Sequence, residues 1–376
     1  MQPQSDLCPV ERAIAWVDAA TCRLDCEQVG LSEAASRILA ENIFARHSIP
    51  HIDRAALDGF AVRAEETLGA GVYSPLALPA RYVEAGAAMP HGADAVVPID
   101  HAELQDPGHI AFVEAAAAGA NVICRGAVAE AGAQLLGAGA CLGPAALGLM
   151  AEAGFAHLPV VRRPHVRIAI AGSVPAGSAE DSDGPMIRAA VERDGGIAAA
   201  ASLEEAFAEG ADIVLVVGGT GPGRADKAAA ALAAAGELAI HGVALQPGET
   251  TGFGRTGFGA LVLLLPGMPA ACLWAYELFA GRAIRCLGGR DPALPYCRSR
   301  RRTARKIVSA IGTTEICAVR CRPDGLIEPL ASFAEIGLAA AVGADGFIVI
   351  PDTNEGYPAG TSVEAYLYKA STEVPL

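Results

Sequence analysis

Two loops rich in glycine and proline each lie between an apolar strand pattern and a helix pattern. The first belongs to VVGGTGPGRADK (216–227) and the second to LLLPGMPAACLW (263–274). Glycine lets a backbone approach a ligand closely, and the amide groups at a helix start favour anions. The two loops together therefore predict a site for a phosphate-bearing ligand. The residues expected to contact it are Gly218, Gly219, Gly221, Gly223, Pro266, Gly267 and Pro269.

Two aspartates near turns are the candidate acidic groups. Asp226 precedes the helix that follows the first loop, so it is either the N-cap of that helix or a ligand of a metal ion beside a bound phosphate. Asp58 lies in HIDRAALDGFAVR (51–63) and is followed by Gly59, which is a turn signal. It is either the corner of that turn or a group that faces a ligand. The residue patterns alone leave both choices open.

The elements that must position the loops form an alternating pattern. Strand patterns such as HVRIAIAG (165–172), DIVLVV (212–217) and ALVLLLPG (260–267) alternate with helix patterns up to residue 290. This alternation predicts a three-layer α/β domain with a mostly parallel sheet, in which ligands bind at the carboxyl ends of the strands. Both loops follow strands, so we expect them at the same edge of the sheet.

The flanking regions have different patterns. The first 45 residues are predicted to be helical, most clearly over LSEAASRILAENIFA (31–45), and a further helix is predicted over 143–154. Residues 51–140 contain short strand patterns between glycine and proline turns. Short strands after residue 306 predict a small terminal β-barrel or sandwich. The basic run RSRRRTARK (298–306) is interpreted as a solvated connection between domains or as a surface that attracts an anionic ligand or partner.

Composition excludes several function classes. The formal net charge of −14 argues against binding to nucleic acid. The apolar runs are shorter than the ~20 residues that span a bilayer, and the first residues lack the basic-then-apolar order of a signal peptide, so we expect a cytoplasmic protein without a membrane partner. The ten cysteines form no CxxC motif and have no zinc-ligand spacing, and we expect them to be free and mostly buried.

These motifs resemble the MoeA family, which includes the corresponding part of gephyrin. The matching segments follow the family order over nearly the whole chain. They include DRAALDGFAVR (53–63), NVICRGAVAEAGAQLL (121–136), DSDGPM (181–186), DIVLVVGGTGPGRADK (212–227), HGVALQPGETTGFG (241–254) and LLPGMPA (264–270).

The resemblance implies a multi-domain fold, α/β plus β. The expected parts are a helical arm formed by residues 1–50 and 141–164, an inserted β-rich domain at 51–140, a three-layer α/β domain like MoaB and MogA at 165–295, and a C-terminal β-barrel at 296–376. The implied assembly is a homodimer with its active cleft between the subunits.

The resemblance also implies an activity. Members of the family are molybdopterin molybdenumtransferases, which insert molybdate into adenylyl-molybdopterin with Mg²⁺. Asp58 matches the second aspartate of the family's DNSAMDGYA motif, and Arg125 matches the arginine of its RGED motif. The implied catalytic residues are Asp58, Arg125 and Asp226, with Asp58 and Asp226 as metal ligands. Asp181 and Ser182, in the family's DSN motif, are expected to bind the cofactor.

The chain departs from the family pattern at several charged positions. The motif RGED becomes RGAV with Ala127 and Val128, and TGDEL becomes AGSVP with Ser173 and Val174. TGAP becomes EAGAAMP, in which Ala85 replaces the threonine, and DSN becomes DSD, which ends in Asp183. KPGKP becomes QPGET, in which Gln246 and Glu249 replace two lysines, and LPGNP becomes LPGMP, with Met268 for asparagine. Carboxylates would hold Mg²⁺ and lysines would neutralise an oxyanion, so these losses should weaken the binding of a charged anion. Arg224 and Arg255 are the candidate replacements for the lysines.

Two function classes follow. The first is an active molybdopterin molybdenumtransferase. The second is an impaired or repurposed relative that binds molybdopterin-type ligands or a partner, such as a MogA-like adenylyltransferase or a molybdoenzyme.

Overall fold

The computed structural model describes residues 7–106, 109–171, 176–178, 181–221, 223, 226–330 and 337–369. Contacts divide the chain into two units, of which the first comprises residues 1–26 and 161–376 and the second comprises residues 27–160. Among the residues described, no helix is both long and apolar enough to cross a membrane.

The α-helices have the following bounds: α1 Val10–Ala20, α2 Pro144–Glu152, α3 Asp183–Arg193, α4 Leu203–Ala206, α5 Ala228–Ala235, α6 Pro269–Ala275, α7 Gly281–Leu287 and α8 Leu338–Gly343. A π-helix, Tyr276–Ala280, joins α6 to α7. Single 3₁₀ turns occupy Leu31–Glu33, Ala64–Thr67 and Ile99–His101.

The strands have the following bounds: β1 Cys26–Gly30, β2 Ile43–Phe44, β3 Arg54–Ala55, β4 Gly59–Val62, β5 Leu76–Pro79, β6 Arg81–Val83, β7 Ala95–Pro98, β8 Ala102–Asp106, β9 His109–Phe112, β10 Val122–Ile123, β11 Gln134–Leu136, β12 His157–Val161, β13 His165–Ile170, β14 Ile197–Ala200, β15 Ile213–Val217, β16 Gly236–His241, β17 Leu245–Gln246, β18 Gly252–Thr256, β19 Leu261–Leu265, β20 Cys297–Arg302, β21 Ile307–Val308, β22 Thr314–Cys321, β23 Ile327–Pro329, β24 Gly346–Ile350, β25 Gly356–Tyr357 and β26 Ser362–Leu367.

The first unit contains the predicted three-layer α/β domain. Its sheet has the order β14-β13-β15-β19-β18-β16, and β14, β13, β15 and β19 run parallel. Strands β15 and β19 are fully buried apolar runs, as expected for a sheet covered on both faces. One face packs against α1, α3, α6 and α7, and the other packs against α4 and α5. The predicted fold class is therefore confirmed.

The C-terminal strands of the first unit form a mainly antiparallel sheet with the order β17-β22-β24-β26-β20. Phe347 of β24 stacks on Tyr366 and also packs on Trp274 of α6, with ring centroids 4.5 Å apart in the second pair. The basic run does not form a simple connection, because residues 297–302 are the edge strand of this sheet and pair only with β26. Charged side chains are common on such edges, where they oppose unwanted strand pairing.

The second unit is rich in β-structure between residues 54 and 136. Two three-stranded antiparallel sheets, ordered β6-β4-β7 and β5-β9-β8, enclose a core that includes Val62, Val97 and Phe112. Two shorter strand pairs, β3 with β10 and β2 with β11, lie beside them along the chain. The β-rich character expected for this region is confirmed, whereas the limits of the four domains stay a prediction.

The helix predicted over residues 31–45 is wrong. The segment holds one 3₁₀ turn and the short strand β2, and Ser36 has a left-handed φ of 60° that interrupts any helix. Its amides bond to distant segments: Ser36 N–H donates to the Leu142 carbonyl, and Leu39 N–H donates to the Ala140 carbonyl. Leu39 is fully buried. Tertiary pairing has overridden helix propensity here.

Helix α1 lies in the first unit, where Arg282 of α7 donates two hydrogen bonds to Asp18. The expectation that the cysteines are mostly buried is wrong, because only Cys272 and Cys317 of the ten are buried.

Candidate functional site

The two predicted loops lie side by side in the first unit. Each follows a neighbouring parallel strand, and the Gly218 N–H donates to the carbonyl of Leu265 at 2.9 Å. Gly218 and Gly219 have φ values of 83° and 63°, which favour glycine. A Cβ on Gly219 would lie 3.0 Å from the carbonyl oxygen of Ala171, and one on Gly267 would lie 3.0 Å from the Cα of Gly218. The loops therefore depend on glycine for both conformation and close approach.

Asp226 closes the first loop on itself. Its Oδ2 accepts a hydrogen bond from the Gly223 N–H at 2.9 Å. Helix α5 begins at Ala228 with Lys227 as its N-cap, so Asp226 is not the N-cap. The carboxylate instead lies close to Gly221, where an added Cβ would approach its Oδ2 to 2.8 Å.

A polar contact that the sequence patterns did not reveal supports the same loop. Thr220 is buried, and its hydroxyl shares a hydrogen bond of 2.8 Å with the hydroxyl of Thr250. Nε2 of His241 donates to the Thr220 carbonyl at 2.9 Å. Thr250 is the last residue of QPGET, and the family pattern has proline at this position. This difference from the family pattern is the feature of the sequence that could have indicated the contact. The bond links the Gly-rich loop to the QPGET segment.

The loop after β13 carries the DSD segment at the start of α3. Both oxygens of Asp181 accept backbone N–H groups, Oδ1 from Gly184 and Oδ2 from Gly177, each at 2.8 Å. Ser182 is exposed and forms no side-chain cap. Oδ1 of Asp183 is buried without a hydrogen-bond partner among the residues described. Burial, with the nearby charge of Asp181, raises the pKa of Asp183 to about 6.

Replacing Asp183 by asparagine is expected to stabilise the protein at pH 8 and to change little at pH 4. The folded form prefers the protonated carboxyl, so its stabilising contribution is present below about pH 3.8 and is lost as pH rises through about 6. Because the side chain is half-exposed, we expect a gain of about 1 kcal/mol rather than the full value of the shift. Urea unfolding at both pH values measures it, with the exposed Asp100→Asn as control. An equal gain at both pH values would contradict the argument.

The QPGET segment presents no cation to the loops. The carboxylate of Glu249 accepts the Gly248 N–H at 3.1 Å, and Gln246 is exposed. Arg255 does not replace the lost lysines, because it donates to the backbone carbonyls of Gly259 and Ala20. Arg224, Ser173 and Val174 lie outside the described residues.

In the second unit, Asp58 closes a turn. Its Oδ1 accepts the Ala85 N–H at 2.7 Å, while its side chain remains exposed. Asp53 has a matching role, since its Oδ1 accepts the Arg125 N–H at 2.7 Å. Gly59 is required at its position because a Cβ there would lie 2.2 Å from the carbonyl oxygen of Val97. Asp58 therefore stabilises the turn through Oδ1, and its second oxygen, Oδ2, is left for a ligand.

The RGAV segment surrounds a carboxylate that the sequence patterns missed. Gly126 has a φ of 78°, and a Cβ there would lie 2.3 Å from Oε1 of Glu130. Oε2 of Glu130 accepts a hydrogen bond from the buried Ser48 hydroxyl at 2.7 Å. Val128, at the position of a family carboxylate, is 52% exposed.

The residues present do not form a protein-held Mg²⁺ site. Among the residues described, no group of three or more histidine, cysteine, aspartate or glutamate side chains is placed to share a metal ion. Asp58 and Asp226 offer two carboxylates, which are few for Mg²⁺ because it demands near-octahedral oxygen coordination.

Comparisons with known proteins match most of the chain. Three family models fit: the MoeA N-terminal region (domain I and II) at residues 8–154, a probable molybdopterin binding domain at 168–285, and the MoeA C-terminal region (domain IV) at 300–368. The molybdopterin molybdenumtransferase 2 of Mycobacterium tuberculosis is 30% identical over 90% of this chain and 94% of its own length.

One further relative and one solved structure give matches of similar extent. The molybdopterin molybdenumtransferase of Staphylococcus aureus is 26% identical over 96% of this chain and 95% of its own length. A crystal structure of the molybdopterin biosynthesis MoeA protein from Pyrococcus horikoshii is 28% identical, with a TM-score of 0.76, and covers 97% of this chain and 100% of its own.

Proposed function

The chain belongs to the MoeA family, and we propose from this premise that it works in molybdenum cofactor biosynthesis and binds a molybdopterin-type ligand. The observation that supports this most is the pair of loops at the carboxyl edge of the parallel sheet. Gly218 and Gly219 bring the first loop against the second at the carboxyl ends of β15 and β19, the edge at which ligands bind in parallel sheets of this kind. The ligand-binding residues proposed are those of the two loops with Asp181 and Ser182.

The full reaction proposed is transfer of molybdate to adenylyl-molybdopterin. Asp58, Arg125 and Asp226 are the proposed catalytic groups. Mg²⁺ is the proposed metal, and phosphate oxygens of the bound ligand would have to supply part of its coordination. Asp58 and Arg125 belong to the second unit and Asp226 to the first. Arg125 would contribute a cation for an oxyanion, and Asp226 would reorient from the Gly223 amide to the bound ligand.

Two side chains that depart from the family pattern favour a second function, in which the chain binds the cofactor without inserting the metal. Val128 and Glu249 stand where the family pattern has an acidic and a basic group, and both are exposed rather than absorbed into the core. A relative that binds the pterin cofactor without inserting the metal, or that presents it to a MogA-like adenylyltransferase or a molybdoenzyme, would need the glycine loops but not these charges. A cytoplasmic location and the four domain boundaries given above are part of the same proposal.

Replacing Gly219 by alanine is expected to abolish binding of molybdopterin and its adenylylated form, measured by calorimetric titration under anaerobic conditions. A left-handed alanine costs about 1–2 kcal/mol, and its Cβ would also press on the Ala171 carbonyl. The matched control is Gly325→Ala, at φ 80° with no atom within 4 Å of the new Cβ. Both variants should lose stability from the left-handed backbone, Gly219→Ala somewhat more because of the Ala171 contact, and only Gly219→Ala should lose the ligand.

Two results would contradict the proposal. Wild-type protein that binds neither pterin at high micromolar concentration would refute the binding function. Equal affinities for wild type and Gly219→Ala would place the ligand elsewhere.

We also expect a homodimer, because the resemblance implies that the subunits share a cleft. Light scattering at micromolar concentration should give about twice the chain mass of 38.2 kDa. A monomeric mass under these conditions would refute the shared cleft.

A further inference from the structure

Strand β20 lies at one end of the C-terminal sheet. The sheet has the order β17-β22-β24-β26-β20, and β20 pairs with β26 along its whole length. In the part of the chain that the structure describes, no strand is paired with the other side of β20. An edge of this kind presents main-chain N–H and C=O groups to which an extended segment of another chain can add as a further strand.

Three arginines alternate along this edge strand. Arg298, Arg300 and Arg302 are exposed, whereas Ser299 and Arg301 between them are partly buried, as expected for side chains on opposite faces of a strand. Alternate residues of a strand are about 7 Å apart, so the three exposed side chains form a line of positive charge, the arginine stripe. This stripe stands out in a chain whose formal net charge is −14.

The arginine stripe does not use the carboxylate nearest to it in the sheet. Glu364 of β26 lies directly opposite Arg300, yet it accepts a hydrogen bond from the Tyr366 hydroxyl at 3.2 Å. Among the residues described, none forms an ion pair with the stripe, whereas Arg322 of the same region lies 3.0 Å from Asp324. The charge of the stripe is therefore available to carboxylates of another molecule.

The arginine stripe is remote from the QPGET segment of the candidate site. Strand β17, at the opposite end of the sheet, contains Gln246 of that segment. Four strand spacings of about 4.8 Å separate β17 from β20, which places the two edges about 19 Å apart. Binding at β20 needs neither the glycine loops nor transfer of molybdate, so an interaction here goes beyond the proposed function.

Charge decides what kind of segment can add to β20. A second copy of β20 would place arginine against arginine, and like charges directly opposite each other destabilise a strand pair. Nucleic acid is disfavoured by the negative charge of the whole chain. A strand with a carboxylate at every second residue would instead meet all three arginines. Guanidinium groups bind carboxylates with charge-assisted, bidentate hydrogen bonds.

We propose that β20 binds an acidic, extended segment of a partner protein. The segment adds to the sheet as a further strand and places alternate carboxylates on the arginine stripe. Main-chain hydrogen bonds along the edge supply affinity, and the stripe selects an acidic segment over a neutral or basic one. The same arginines oppose addition of a second β20, so the edge is protected from its own copies and open to an acidic strand.

The probe is a dye-labelled peptide in which glutamate alternates with threonine, titrated into the full chain and followed by fluorescence anisotropy. We expect it to bind at least about tenfold more tightly than the same peptide with glutamine for glutamate, and more weakly as salt is added. A third peptide keeps the glutamates but carries N-methyl groups on its backbone amides, so it cannot pair as a strand and should also lose about tenfold. Hydrogen exchange should slow at the amides of residues 297–302 in the complex with the acidic peptide.

Two variants test the arginine stripe. Arg302→Glu should weaken the acidic peptide about tenfold or more, and it sits opposite Ser362, so it creates no pair of like charges across the strands. Arg300→Gln should weaken the peptide severalfold. The matched control is Lys306→Glu, which makes the same reversal in the same basic run at an exposed position outside β20. It should bind the peptide within about twofold of wild type.

Each part of the proposal can be contradicted. Equal affinities of the glutamate and glutamine peptides, or unchanged affinity in folded Arg302→Glu and Arg300→Gln proteins, would overturn the role of the stripe. Equal affinity of the N-methylated peptide would overturn strand addition. An oligoribonucleotide that binds β20 more tightly than the acidic peptide would identify a nucleic-acid surface instead. Since the peptides contain no pterin, failure here leaves the pterin titrations unaffected.

Discussion

Replacing Arg193 by methionine is expected to lower the free energy of unfolding by about 3–5 kcal/mol, the largest stability effect we expect from a single polar side chain. Arg193 ends helix α3 and donates two hydrogen bonds to Glu277, at 2.7 and 3.0 Å. It also donates to Asp194 at 2.8 Å. Both carboxylates are only 1% exposed. Removing the arginine would leave buried negative charge without its main partner.

The rest of the network cannot compensate. Arg285 Nη1 lies 2.9 Å from Asp194 Oδ1 and is itself almost fully buried, so it is committed to that carboxylate. Burial, together with the charge of Asp194, raises the pKa of Tyr276 well above its ordinary value, so its hydroxyl remains protonated and donates to Asp194. The π-helix carries Tyr276 and Glu277 and thus directs both toward the end of α3. Among the residues described, the hydrogen-bond partner left to the Glu277 side chain would be the hydroxyl of Tyr296.

Thermal unfolding followed by circular dichroism measures the effect, which should be a decrease of about 10 °C in the midpoint for a unit of this size. The control is Arg322→Met, which removes an ion pair of 3.0 Å with Asp324 in which both side chains are 46% exposed. An exposed pair of this kind contributes at most about 1 kcal/mol. If both variants unfold at similar temperatures, the buried network does not stabilise the fold in the way argued.

The α/β domain could be predicted because its strands are unambiguous in sequence. IVLVV and LVLLL are buried on both faces, and no amphipathic helix has such a pattern over so short a length. Residues 31–45 failed for the opposite reason. Ala34 with Ile38, and Leu39 with Ile43, are buried four residues apart, a spacing that suits a helix, yet their burial comes from α2 and from strands and turns within residues 133–160. Periodicity reports which residues are buried and does not report what buries them.

The candidate site likewise has features that the sequence predicted and features that it did not. Adjacency of the two loops followed from parallel-sheet geometry, since neighbouring strands end at one edge. The bond between Asp226 and the Gly223 amide, the Thr220–Thr250 contact and the Ser48–Glu130 bond did not follow from any pattern. Two of these join residues 30 and 82 positions apart, and such contacts depend on the folded backbone rather than on local sequence.

Supplied with adenylyl-molybdopterin, Mg²⁺ and molybdate, the chain is expected to activate a molybdenum apoenzyme at least about tenfold more slowly than a MoeA protein with the family's charged motifs. Val128 cannot coordinate a metal, and Glu249 presents a negative charge to an oxyanion. At ~5 Å and an effective dielectric near 20, one unit charge pair is of the order of 3 kcal/mol, and each 1.4 kcal/mol is a factor of ten. The retained Asp58 and Asp226 each hold a backbone amide, which leaves a thin set of oxygen ligands.

Restoring the family's charges together should recover part of the activity. The variant combines Val128→Asp, Val174→Glu and Glu249→Lys, of which position 174 lies outside the described residues. Single changes need not add, because the groups would act as one site. The matched control is Glu237→Lys, which reverses an exposed charge on β16 in the same unit as Glu249 and should leave activity at the wild-type level. Wild-type turnover within tenfold of the comparison protein would show that other residues carry the chemistry. An inactive triple variant that still binds the pterin would favour the cofactor-binding role, because the missing charges would then not be what limits transfer.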